Sequence, residues 1–166
     1  MRLEVADFFT LSRLLFTPAL IFSVLKGWYI VSGFVVILVI ISDWLDGIIA
    51  RRLKKVTKHG ELLDPAVDKI FTISALAVFV EKHFISSFVI FLVVAREMII
   101  TWLRSVMVNK GIVVPASFSG KVKTSLQMAG IFLLAINQVF IGNMLIWISV
   151  VIAYISAFEY LKLLKE

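Results

Sequence analysis

Six apolar segments, each approaching the roughly 20 residues that a membrane-spanning helix needs, leave little of the chain free to be anything else. They run Phe8–Lys26, Trp28–Ala50, Pro65–Val80, Phe84–Arg104, Val122–Ile136 and Asn143–Leu161, the third and fifth being short. Of the 166 residues, 61% are hydrophobic, whereas soluble domains hold about 45–50%. The excess must face something other than water, and lipid is the natural candidate. The expectation is an all-α integral membrane protein of six transmembrane helices, forming a single domain over residues 1–166. The first run contains Arg13 and Pro18 and lacks a small-residue cleavage site, so it reads as a retained helix and not as a signal peptide. The absence of cysteine excludes disulfides and thiolate metal sites.

The net charge of +6 does not point to nucleic acid, because the basic residues occupy the gaps between apolar runs. Arg51, Arg52, Lys54, Lys55 and Lys58 follow the second run. Lys110 and Lys121 follow the fourth, with Arg104 and Lys123 at its edges, and Arg2, Lys162 and Lys165 flank the ends. The opposite connections hold only Lys26, Lys82 and an uncharged stretch around Gly142. Positive charge gathers on the cytoplasmic side of a membrane protein, which places both termini there. Trp28 and Trp147 read as interfacial anchors.

Ionisable side chains within apolar helices are costly and mark functional sites. Asp43, Asp46, Gly47 and Ala50 share one helix face by their three-, four- and seven-residue spacing. Gly60, Asp64 and Asp68 recur every fourth residue after the basic loop, and Asp64-Pro65 has the look of an N-cap followed by a first-turn proline. A tight antiparallel pairing of the second and third helices would bring four carboxylates together. They cannot all remain ionised in a low dielectric without a compensating cation. Mg²⁺ or Mn²⁺ suits carboxylates combined with substrate phosphates, and two such ions about 3.5–4 Å apart clamp the attacking and leaving oxygens of a phosphoryl-type displacement. Gly47 and Ala50 either leave room for a flat substrate group or pack helices closely.

These seven residues, with Arg51, spell D-x2-D-G-x2-A-R-x8-G-x3-D-x3-D from Asp43 to Asp68. The pattern resembles the signature of the CDP-alcohol phosphotransferases. The segment Ala95-Arg96-Glu97-Met98-Ile99-Ile100-Thr101, ending at Arg104, resembles the fourth helix of bacterial phosphatidylglycerophosphate synthases, a branch of that family. So do Gly120-Lys121-Val122-Lys123-Thr124-Ser125-Leu126-Gln127 and Thr10-Leu11-Ser12-Arg13 with Pro18, although Asp7-Phe8 stands where relatives often carry Pro-Asn.

The resemblance implies that Asp43, Asp46, Asp64 and Asp68 hold two Mg²⁺ or Mn²⁺ ions, with Asp68 also the general base. It implies that Gly47, Ala50 and Gly60 line a cytidine site, that Arg51 contacts the diphosphate, and that the protein is a homodimer in the cell membrane with its polar cavity facing the cytoplasm. The donor would be CDP-diacylglycerol and the acceptor glycerol 3-phosphate, yielding phosphatidylglycerol phosphate and CMP. A phosphorylated acceptor needs cations of its own, and Arg96, Arg104, Lys121 and Lys123 are the candidates. Arg96 beside Glu97 also reads as a structural ion pair, Lys121 and Lys123 as membrane-surface anchors, and Lys69 as either an ion-pair partner or an acceptor contact. Inositol phosphate, serine or phosphatidylglycerol as acceptor would preserve the chemistry. A divalent-cation transporter is the reading from another class.

Overall fold

Three short connections in this computed structural model end a helix in the same way. The N–H of Trp28 donates to the carbonyl of Ser23 at 2.9 Å and that of Gly27 to Val24 at 3.0 Å, with Gly27 at φ +73°. This paired 6→1 and 5→2 closure satisfies carbonyls that a helix end otherwise leaves bare. It recurs where Phe84 and His83 donate to Phe79 and Val80, and where Gln138 and Asn137 donate to Leu133 and Leu134. His83 and Asn137 take the left-handed conformation, at φ 57° and 65°. The chain is thereby folded into three helical hairpins.

The described residues are 5–53, 58–109 and 118–163, with side chains described within 12–45, 66–108 and 119–157. They form six helices: α1 (Val5–Leu25), α2 (Tyr29–Leu53), α3 (Lys58–Glu81), α4 (Ser87–Asn109), α5 (Phe118–Ala135) and α6 (Val139–Leu163). Among the described residues there is no strand. The expected all-α architecture with six helices is present.

Several expected boundaries are corrected. The third helix begins at Lys58, so Asp64 is not an N-cap and Pro65 lies within α3. A proline there removes one backbone donor, yet the helix runs on through it. The fifth helix likewise begins earlier than its apolar stretch, at Phe118, because a helix does not stop where its side chains turn polar. The sixth begins at Val139, which puts Gly142 inside it rather than in a connection.

α1 packs against both α2 and α3, α5 against α6 and α2, and α4 against α6 and α3. Among the described residues α2 and α3 both pack on α1; the ends of α2 and α3 that the expected direct pairing concerns lie outside the described side chains. The core is aliphatic and aromatic, with Leu20, Val36, Val39, Phe71, Leu76, Phe79, Ile131, Leu134 and Ile146 fully buried. α5 and α6 approach most closely at two glycines. A Cβ on Gly130 would meet Ile146 Cδ1 at 2.8 Å and the Gly142 carbonyl at 3.2 Å.

The outside inverts the usual rule. Ile30, Phe140, Leu15, Trp102, Phe91 and Trp44 are each more than 60% exposed, while Arg13, Ser42, Arg96, Lys123 and Gln127 are buried. Among the described residues one segment, Val139–Ala157, is by itself long and apolar enough to cross a membrane. Apolar stretches Ser12–Leu25 and Tyr29–Leu45 are shorter. Ionisable residues such as Asp43, Asp68, Arg96, Glu97 and Lys123 interrupt the apolar runs of α2 to α5.

Candidate active site

α2 is continuous from Tyr29 to Leu53, so Asp43, Asp46, Gly47 and Ala50 keep the register of one helical stripe, with Arg51 beside it. α3 likewise carries Gly60, Asp64 and Asp68 on successive turns of an unbroken helix. The side chains of Asp46, Ala50, Arg51 and Asp64, and the surroundings of Gly47 and Gly60, lie outside the described residues. So do Lys54 and Lys55, Arg2, Lys110 and Lys165, and the side chains of Arg52, Lys58 and Lys162.

Asp43 and Asp68 are described, and a third helix connects them. Arg13 of α1, with 1% of its side chain exposed, donates through Nη1 to Asp43 Oδ1 at 3.2 Å and to Asp68 Oδ1. Both acids remain half exposed, at 53% and 47%. The hydroxyls of Ser12 and Ser42 lie 3.4 Å apart at the same level of the α1–α2 interface. Ser32 donates to Ser23 at 2.9 Å farther along it. Two carboxylates from different helices thus meet around one positive charge.

Asp68 also opens onto a cleft of about 320 Å³ bounded by α3, α4 and α5. Lys69, Thr72, Arg96, Glu97, Thr101, Arg104, Lys123, Thr124 and Gln127 supply its polar lining. On its floor the Glu97 carboxylate accepts from Arg96 Nη1 at 2.8 Å and from Lys123 Nζ. Arg96 also donates through Nε to the Ala153 carbonyl at 3.2 Å, which ties α4 to α6. Lys69 Nζ donates to Thr101 Oγ1 at 2.5 Å, and Thr101 in turn donates to the Glu97 carbonyl at 2.7 Å. Four cations thus face two carboxylates, giving the cleft a net positive balance suited to an anionic ligand.

Of the four cations expected for the acceptor, Arg96, Arg104 and Lys123 line this cleft, whereas Lys121 is exposed and stands outside its lining. The Arg96–Glu97 ion pair exists, and Lys123 shares it. Sequence reasoning did not place Arg13 in the site, although an arginine within an apolar helix was the available signal. The coupling of Lys69 to Thr101 spans 32 residues, and no local spacing announces it.

The donor set suits hard divalent cations. Asp43 and Asp68 offer carboxylate oxygens that already converge on a positive charge and stay about half exposed, and Asp68 lines the cleft. Among the described side chains no group of three or more metal-ligating residues forms, and Asp46 and Asp64 fall outside that set.

The fold and the cleft define an all-α protein that gathers carboxylates and cations in one cleft within a largely apolar bundle. The chain belongs to the CDP-alcohol phosphatidyltransferase family, whose model matches residues 3–155, and members of that family use divalent metal ions. It is 34% identical over 174 residues to the CDP-diacylglycerol–glycerol-3-phosphate 3-phosphatidyltransferase of Yersinia pestis (strain Pestoides F), covering 98% of this chain and 95% of that one. The enzyme of the same name from Wigglesworthia glossinidia brevipalpis is 32% identical over 172 residues, with 96% and 94% covered. The one from Bacillus subtilis (strain 168) is 31% identical over 126 residues, where the match spans 72% of this chain and 65% of that one.

Proposed function

We propose that the protein transfers the phosphatidyl group of CDP-diacylglycerol to the 1-hydroxyl of sn-glycerol 3-phosphate, giving phosphatidylglycerol phosphate and CMP. The observation that carries this reading is the cleft in which Asp68 stands among Lys69, Arg104 and Lys123. A base and an anion-binding wall share one space, as an acceptor bearing both a hydroxyl and a phosphate requires. The full-length relatives carry the same activity in their names.

Asp43, Asp46, Asp64 and Asp68 would hold Mg²⁺ or Mn²⁺, two ions per site. Bound there, the metal would neutralise charge on the diphosphate of the donor. Gly47, Ala50 and Gly60 would line the cytidine site, and Arg51 would contact the diphosphate, for which a guanidinium is suited. Lys69, Arg104 and Lys123 orient the acceptor phosphate, with Arg96 and Glu97 fixing Lys123. Asp68 accepts the proton of the 1-hydroxyl, whose oxygen attacks the lipid-side phosphorus as the bond to CMP breaks.

The same reading places the six helices across the cell membrane, with both termini and the cleft on the cytoplasmic side. Helices of 18 to 25 residues are about 27–38 Å long, comparable to the roughly 30 Å hydrocarbon core. The exposed apolar exterior supports a lipid surround. A homodimer belongs to this reading too, and Phe140, Met144, Trp147, Ile148, Val151 and Ile155 give α6 an exposed apolar stripe for it.

The test is purified protein with CDP-diacylglycerol, glycerol 3-phosphate and Mg²⁺ or Mn²⁺, followed by CMP release. Release with serine or inositol phosphate but none with glycerol 3-phosphate would overturn the acceptor and keep the chemistry. No release with any alcohol would overturn both.

A further inference from the structure

Among the described residues Arg13 is the bulkiest fully buried side chain, at 1% exposure, and the other large ones are apolar. Burying a guanidinium is tolerated only when its charge is paired, and here Nη1 meets carboxylate oxygens of both Asp43 and Asp68. Those acids come from α2 and α3, both of which pack on α1. The arrangement has two sides. Arg13 is closed to solvent, while both carboxylates stay about half open, and Asp68 lines the cleft.

We infer that Arg13 is the resident counter-ion of the metal site, a positioning residue that holds Asp43 and Asp68 together and opposes divalent-ion binding with its own charge. The inference rests on the metal role proposed above for these aspartates. Two effects compete. By tethering the acids from two helices, Arg13 lowers the ordering cost of making a site, which favours the ion. By placing a fixed positive charge against the same oxygens, it repels the ion. At separations of a few ångströms in a partly desolvated setting, unit charges interact strongly even at an effective dielectric constant of about 20. The repulsion outweighs the ordering gain, and Arg13 keeps metal affinity low enough for the ion to stay exchangeable.

The experiment is Mn²⁺ titration of the full-length protein in detergent, followed by loss of the free-ion paramagnetic resonance signal, with thermal unfolding measured alongside. Arg13→Gln is expected to lower the Mn²⁺ dissociation constant at least about tenfold and to gain more thermal stability from saturating Mn²⁺ than the parent protein does. Arg13→Lys keeps the charge and should stay within about threefold of the parent. An Arg13→Gln affinity that is unchanged or weaker overturns the inference, as does Arg13→Lys tightening equally. If Arg13→Gln folds only when purified with Mn²⁺, the ion has replaced the guanidinium, which supports the inference. If it fails to fold with or without Mn²⁺, the ion cannot stand in for Arg13 and the inference falls. A parent protein that binds no Mn²⁺, even with CDP-diacylglycerol present, overturns the proposed function instead.

Discussion

Lys123 on α5 and Glu97 on α4 form an ion pair across the floor of the cleft, with 11% and 16% of their side chains exposed. Arg96 donates to the same carboxylate oxygen, Oε1, at 2.8 Å. One acid therefore balances two buried cations and joins α4 to α5, which both also pack on α6.

The asymmetry of this trio sets an order of damage. Glu97→Gln strands two buried cations, whereas Lys123→Met leaves Glu97 still paired with Arg96. Breaking a buried pair by removing one partner costs on the order of 3 kcal/mol, so Glu97→Gln should lower the thermal midpoint in mild detergent clearly more than Lys123→Met. Equal loss, or the reverse order, would show that the carboxylate is not the hub.

Acceptor affinity should follow the lining of the cleft and not the charge count of the sequence. Lys69→Met and Arg104→Met each remove a cation facing the cavity that Asp68 enters. A hydrogen bond to a charged group is worth about 1.5–3 kcal/mol, so each change should raise the KM for glycerol 3-phosphate by roughly 10–100-fold, with a smaller effect on kcat. Lys121 stands exposed outside the lining, and Lys121→Met should change KM less than about twofold. Steady-state kinetics at saturating CDP-diacylglycerol separate these outcomes.

The six-helix architecture and the stripe of Asp43, Asp46, Gly47 and Ala50 were legible because helical periodicity is a local property, readable from spacing alone. Of the four cations that the sequence offers for an acceptor phosphate, the cleft gathers Arg96, Arg104 and Lys123 and leaves out Lys121. What stayed hidden is long-range. Arg13 meets Asp43 and Asp68 over 30 and 55 residues of sequence, and Lys123 meets Glu97 over 26. Such partners are selected by which helices become neighbours. The start of α3 is a local exception: an aspartate before a proline is a stop-and-start signal by spacing, yet the helix runs through both from Lys58.

Packing of α5 on α6 gives a prediction independent of the chemistry. Gly130→Ala improves helix propensity by about 1 kcal/mol, but its Cβ would press on Ile146 Cδ1 and Cγ1 at 2.8 and 2.9 Å. Overpacking of this kind costs about 1–3 kcal/mol, so the net effect should be a lower thermal midpoint. Ile146→Val removes the Cδ1 atom, and the double variant Gly130→Ala/Ile146→Val should be more stable than the sum of the single losses. Strict additivity would place the glycine elsewhere than at a close approach.

The aspartates and the metal must fail together if the mechanism is right. Asp68→Asn keeps the shape of the side chain and an oxygen for Arg13, yet it cannot take a proton. General-base loss costs about 10²–10⁴-fold in rate, so kcat should fall by at least 10²-fold with the thermal midpoint changed little. Asp43→Asn should fall as far for a different reason, the loss of an anionic oxygen donor, and raising Mn²⁺ should restore part of its activity but none of that of Asp68→Asn. Chelation of the parent protein should abolish CMP release, and added Mg²⁺ or Mn²⁺ should return it. Turnover that survives chelation, or an Asp68→Asn protein rescued by excess metal, would mean that Asp68 serves only as a ligand and that the acceptor hydroxyl loses its proton elsewhere.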